Sequence, residues 1–205
     1  MATRKKQPSR KKTAGKKKAT ANVLEIEVFL AETEPRIWRR FAVRDDITLA
    51  KLHDVLQAVM GWYDCHLHQF LDMEETRYGP RDDDMDLEWD ADVIEERSVK
   101  LRDVMPEKGS RLVYEYDFGD GWVHGLEVVT IGPPESGVRY PRCLAGERAC
   151  PPEDVGGVGG FYEMLEALAD PKHEEHDSYL EWLGGGYDPR AFNVGKINRL
   201  LTSVR

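Results

Sequence analysis

The stretch from Arg111 to Thr130, RLVYEYDFGDGWVHGLEVVT, constrains the fold more than any other part of the chain. Leu112, Tyr114 and Tyr116 alternate with Val113, Glu115 and Asp117 at the period of two that sends successive strand side chains to opposite faces. Trp122 to Val129 resumes the alternation after Gly119-Asp120-Gly121. Asp-Gly between two such runs predicts a β-hairpin, because both central residues of the tight turn need a positive φ. Loop length then decides what faces His124: a two-residue loop places Asp117 opposite it, a four-residue loop Glu115, a three-residue loop Tyr116. Either even length sets a carboxylate beside the imidazole, which would raise its pKa and fix its tautomer. Such a pair suits a general base or a metal ligand, and also a plain cross-strand contact that stabilises the sheet.

The remaining elements are legible by the same rules. Leu24, Ile26, Val28 and Leu30 alternate with Glu25, Glu27 and Phe29 as a first strand, and Arg36 to Val43 supplies a second after Pro35. Together they predict an antiparallel pair. Thr48 is an N-cap for a helix carrying Leu49, Leu52, Val55, Leu56, Val59 and Met60 on one stripe, with Gly61 just beyond its end. His53 sits at the border of that stripe. Trp62 to Leu71 reads as loop then strand; if the strand reaches them, His66 and His68 share one face and Cys65 the other, so these possible ligands cannot easily meet one ion, and the alternative is a polar sheet face. Asp82 to Glu96 is an acidic loop without the glycine and glutamate placement of an EF-hand. Leu101 to Met105 adds a short strand, and Ile131-Gly132-Pro133-Pro134 stops the hairpin.

Glycine and proline then dominate Tyr140 to Gly157, which reads as an ordered loop without regular structure. Phe161, Met164, Leu165 and Leu168 trace a helix ended by Asp170-Pro171, and a second runs from about Lys172 to Leu183. Val194, Ile197, Leu200 and Leu201 form a last amphipathic helix capped by Asn193.

Charge divides the chain in two. The first 20 residues hold nine of the 29 lysines and arginines and no acid, so the net −9 conceals a body of −18. A basic segment without large apolar residues cannot offset its ordering entropy by burial, so residues 1–21 read as a disordered tail and 22–205 as one domain. The tail can contact nucleic-acid phosphates, or act as a solubilising arm beside an acidic body. Three cysteines, no secretory signal and no apolar run of membrane-spanning length argue against a disulfide scaffold and for a reducing cytoplasm.

Three sets of side chains carry chemistry. Cys143, Cys150, His173 and His176 make a Cys2His2 set suited to tetrahedral zinc, with the histidines a helical turn apart and the cysteines more widely spaced than usual. Asp117, Asp120, His124, Glu153 and Asp154 converge on the hairpin end, where carboxylates beside an imidazole can run hydrolytic acid–base chemistry with or without a metal. No activated nucleophile accompanies them. Tyr114, Tyr116, Phe118 and Trp122 would give a binding surface for a protein or nucleic-acid partner, or else a core.

The segments YEYDFGDGWVHGLEV, CLAGERACPPEDVGGVGGFYEMLEAL, DPKHEEHDSYLEWLG and GGYDPRAFNV, in that order, resemble the plasmid pRiA4b ORF-3-like family over roughly Asn22 to Leu201. That family includes passenger proteins of insertion elements named resolvase-like. The resemblance implies a compact α+β domain, found on plasmids, mobile elements and chromosomes; it brings no established activity, and the mobile-element association favours a non-enzymatic binding or accessory role toward a protein or nucleic-acid partner. No serine-recombinase constellation supports the resolvase name, since Ser110, Ser136, Ser178 and Ser203 all lack an arginine-rich catalytic context. The expectation is an α+β fold: a mainly antiparallel sheet with the Thr48 helix on one face and the C-terminal helices closing the core.

Overall fold

The computed structural model describes residues 21–81 and 92–204. The basic tail and most of the acidic loop lie outside the described residues. Eight strands form one sheet, running in chain order as β1 Val23–Leu30, β2 Trp38–Arg44, β3 His68–Leu71, β4 Arg77–Gly79, β5 Ile94–Glu95, β6 Arg111–Tyr116, β7 Trp122–Gly132 and β8 Arg142–Glu147. Their spatial order is β5-β4-β3-β6-β7-β1-β2-β8, antiparallel except for the β4–β5 pair. The helices are α1 Leu49–Met60, α2 Leu101–Val104, α3 Gly157–Ala169, α4 His176–Trp182 and α5 Val194–Leu201. This is the expected α+β architecture with a mainly antiparallel sheet.

Alternation decides which face is covered. Leu24, Ile26, Val28 and Leu30 of β1, Leu112, Tyr114 and Tyr116 of β6, and Trp122, His124, Leu126 and Val128 of β7 are all buried on one face. Helix α1 lays Leu49, Leu52, Val55, Leu56, Val59 and Met60 into the same core, and α3 and α5 add Phe161, Met164, Ile197 and Leu201. Each large side chain fully withdrawn from water there contributes about 1.5–3 kcal/mol. Thr48 Oγ1 accepts the Lys51 N–H at 3.3 Å, and Gly61 closes α1 at φ +86°, so both predicted caps are in place. The opposite sheet face is polar, with Glu27 of β1 bonded to Arg40 and Arg36.

Several local expectations are corrected. Leu101–Val104 is a helical turn rather than a strand: four residues are too few for periodicity to decide, and the Asp103 carboxylate accepts the Lys100 N–H at its start. Arg142–Glu147 is not loop but an edge strand paired with β2, because the partner supplies the hydrogen bonds that turn-forming composition argues against. A bulge between Arg40 and Phe41 accommodates it, and Gly146 sits where a Cβ would come within 2.7 Å of the Trp38 carbonyl oxygen. Helix α3 starts at Gly157, ahead of its first large apolar residue. Helix α4 starts at His176 rather than Lys172 and buries no residue completely.

The hairpin loop is longer than any of the three considered. Tyr116 pairs with Trp122 and Tyr114 with His124, leaving Asp117 to Gly121 as a five-residue loop. Asp117 adopts φ +56° and accepts the Gly119 and Asp120 N–H groups on Oδ1, so its own side chain builds the turn. No carboxylate faces His124.

Candidate metal centre at the hairpin end

Three segments meet at the sheet end where Leu30 lies opposite His124: residues 62–67 after α1, the hairpin loop 117–121, and 151–157, which runs into the first residue of α3. Hydrogen bonds lock them together. The Asp117 N–H donates to the Leu67 carbonyl at 2.9 Å, and the Gly156 N–H to Asp120 Oδ2 at 3.1 Å. Gly157 approaches so closely that a Cβ would stand 2.4 Å from the Asp120 carbonyl oxygen. The Trp62 indole donates to the Pro151 carbonyl at 3.0 Å.

His66 Nε2 is the focus of this junction. It lies 3.2 Å from Asp154 Oδ1 and 3.6 Å from Asp117 Oδ2, yet it is inaccessible to solvent and in hydrogen-bonding geometry with neither. The separations are those of an ion pair; the directions are not those of N–H···O bonds, and the directions decide. Ligands held about 2.0–2.1 Å from one tetrahedral ion stand about 3.4 Å apart, close to the two distances from His66 Nε2. All three ligand atoms lie within 4.8 Å of one another. Asp64, Asp117 and Asp154 all have φ between +56° and +61°, a left-handed conformation that aspartate tolerates better than most residues and that clusters at functional sites.

A second group within 4.8 Å joins His66 to Cys65 and Glu153. Its carboxylate is already committed. Glu153 Oε1 accepts Tyr116 O–H at 2.5 Å and Oε2 accepts the Tyr63 N–H at 2.9 Å. Desolvation, followed by the neighbouring Glu153 carboxylate, pushes the Cys65 thiol above its ordinary range, away from the thiolate that would bind a metal. Burial and Glu153 likewise push the Tyr116 phenol up. Glu153 is therefore a strut between loops, which leaves His66, Asp117 and Asp154 as the candidate ligand set.

A closed ring of hydrogen bonds anchors the 62–67 loop to α1. The Asp64 N–H donates to Gln57 Oε1 at 3.0 Å, which turns the Gln57 amide nitrogen toward Tyr114 Oη, also at 3.0 Å. The Tyr114 proton must then go to His53 Nδ1 at 2.8 Å, and the His53 Nε2–H to Asp64 Oδ1 at 2.8 Å. His53 is neutral in this ring, consistent with burial and then His68 lowering its pKa. His68 stacks on it at 3.6 Å between centroids and pairs with the buried Glu96 at 2.9 Å.

The sequence-predicted residues divide accordingly. Asp117, Asp120, Glu153 and Asp154 lie on the loops that meet at the hairpin end. His124 does not join them: it is fully buried, its Nδ1–H faces the Tyr114 carbonyl at 3.2 Å, and burial pushes its pKa down to about 4. Tyr114, Tyr116 and Trp122 are core residues rather than a binding surface, and only Phe118 of that set is exposed. The proposed Cys2His2 set is dispersed. Cys143 is buried with its thiol toward the Ala145 carbonyl, and Cys150 Sγ is held by the Arg39 guanidinium at 3.0 Å. His173 accepts the Glu175 N–H in the turn before α4, while His176 donates to the Ala167 carbonyl. Among the described residues, no metal-ligating group includes any of the four. Neighbours in a strand point apart, but residues 62–67 are not in a strand, so Cys65 and His66 both reach Glu153.

Comparison with known proteins agrees with the fold. The family model described as plasmid pRiA4b ORF-3-like protein matches residues 22–196. The uncharacterized protein y4hQ of Sinorhizobium fredii (strain NBRC 101917 / NGR234) is 41% identical over 186 residues, covering 90% of this chain and 93% of its own. The crystal structure of MM3350, a protein of unknown function from Methanosarcina mazei Go1, superimposes with a TM-score of 0.76 at 36% identity, covering 86% of this chain and 98% of MM3350. With the match beginning where the described fold begins and running through the candidate centre into α5, the chain belongs to the plasmid pRiA4b ORF-3-like family.

Proposed function

We propose that the chain binds one divalent transition-metal ion, zinc by preference, through His66 Nε2, Asp117 Oδ2 and Asp154 Oδ1, and uses it in hydrolysis. The observation that carries this reading is the solvent-inaccessible His66 Nε2, set 3.2 and 3.6 Å from two carboxylates without a hydrogen bond to either. One imidazole and two carboxylates suit zinc among the first-row ions, and three protein ligands leave a position for water. The ion would lower the pKa of that water and polarise a bound carbonyl. The chain's own part is orientation. Asp117 is fixed by the turn it builds, and His66 by the ring through Asp64, His53, Tyr114 and Gln57. An accessory role resting on an aromatic contact surface loses its support, because three of the four aromatics lie in the core.

Elemental analysis of untagged protein tests the site. One ion per chain is expected, with affinity reduced at least about 100-fold by His66→Ala or Asp117→Asn, beyond the 10–100-fold typical of residues that only orient ligands. Cys143→Ser and His176→Ala should retain it. Metal-free wild-type protein that also fails to take up added zinc, or zinc kept by His66→Ala and lost from Cys143→Ser, would refute the assignment.

A further inference from the structure

The loops that hold the proposed ligands, residues 62–67, 117–121 and 151–157, carry five carboxylates, Asp64, Asp117, Asp120, Glu153 and Asp154, and no lysine or arginine. A divalent ion cancels only part of that charge. The remaining field repels a phosphate or another polyanion and accepts a neutral or cationic group. The same loops leave large apolar side chains in water. Tyr63 is 86% exposed, Leu67 56% and Phe118 44%, three of the ten large hydrophobic residues that are exposed among the described residues. Leu67 follows His66, and Phe118 follows Asp117. The Asp117 N–H to Leu67 carbonyl bond brings the two segments side by side. Leu67 and His66 also line one cleft of about 470 Å³, whose walls include Ala50, Pro80, His53 and His68, with the carboxylates of Asp54, Asp64 and Glu96 outnumbering the cations of Lys51 and Arg97.

An ion with an open position, an apolar rim and an excess of negative charge together define a substrate class. We infer that the site takes an uncharged or cationic acyl compound, an amide or ester, whose apolar group packs against Leu67 and Phe118, and that it rejects phosphate esters. The inference rests on the metal reading above. In the reaction, water adds its oxygen to the acyl carbon, the C–N or C–O bond breaks, and a proton from water ends on the departing amine or alcohol, with no change of oxidation state. Burial of an apolar substrate group against such a rim typically discriminates by tenfold or more.

The test uses the full chain loaded with cobalt(II), whose visible spectrum reports ligands entering the open position. It is titrated with benzohydroxamate, acetohydroxamate and inorganic phosphate. Benzohydroxamate is expected to bind about tenfold or more tightly than acetohydroxamate, with phosphate leaving the spectrum unchanged at the same concentrations. Leu67→Ala and Phe118→Ala should bring the hydroxamate ratio toward one while cobalt stays bound. A wild-type ratio near one, a ratio unaltered in both variants, or a phosphate response equal to that of benzohydroxamate overturns the inference. Failure of cobalt to bind is seen before any hydroxamate is added and overturns the metal reading instead.

Discussion

At the scale of single residues, identical side-chain types do opposite work according to what surrounds them. His66 presents a buried nitrogen between carboxylates, whereas His124 packs against the rings of Trp62 and Tyr114 and is kept neutral by burial. The His124 pKa falls from 6.5 to about 4 on folding, so between those values the unfolded chain binds the proton that the folded chain refuses. Its contribution is present above pH 6.5 and is lost as pH falls toward 4. A comparison of urea unfolding at pH 7.5 and 4.5 should show His124→Phe losing roughly 2–3 kcal/mol less than wild type. Equal losses would mean that the native ring takes up its proton over the same pH range as the unfolded chain. The sequence disclosed His124 as a candidate but not its state, because the alternatives hung on a loop one residue longer than the longest considered. Asp117, Glu153 and Asp154 were legible as a carboxylate cluster since they flank recognisable turns. His66 was not, because its role depends on residues 62–67 leaving the strand pattern before β3 begins at His68.

At the scale of elements, caps and periodicity were the reliable signals, and short segments the unreliable ones. Helix α1 was readable from Thr48 to Gly61 because a cap, an apolar stripe and a left-handed glycine all agreed. Its stability should depend on those ends: Thr48→Ala leaves the Lys51 N–H without its acceptor and should cost about 1 kcal/mol in urea unfolding. A cost indistinguishable from zero would show that water replaces the cap. Strand β8 was hidden for the converse reason. Cys143, Leu144 and Ala145 are separated from any turn by a single arginine, and partners distant in sequence make them extended: β2, about a hundred residues earlier, and Asn198 of α5, which bonds both the N–H and the carbonyl of Cys143. Pairing of that kind is a property of the partner and cannot be read from the segment.

At the scale of the whole molecule, the two ends of the sheet differ in character. Val23 of β1 lies opposite Gly132 of β7 at one end, and Leu30 opposite His124 at the other, beside the candidate centre. The basic segment therefore joins the fold at the end remote from the carboxylates. Removing residues 1–20, and with them nine positive charges, should leave the urea midpoint unchanged, since the buried core begins at Ala21. It should also abolish retention on immobilised DNA at low salt, because phosphate affinity follows the number of cationic contacts. Retention persisting in the shortened chain would move the contact onto the folded body. No helix among the described residues is long and apolar enough to cross a membrane. The eight residues of β1 set a distance of roughly 23 Å between the two ends. A surface, a resin or a neighbouring protein fused ahead of residue 21 would thus hold the molecule with its carboxylate end facing outward, an orientation suited to immobilised assays.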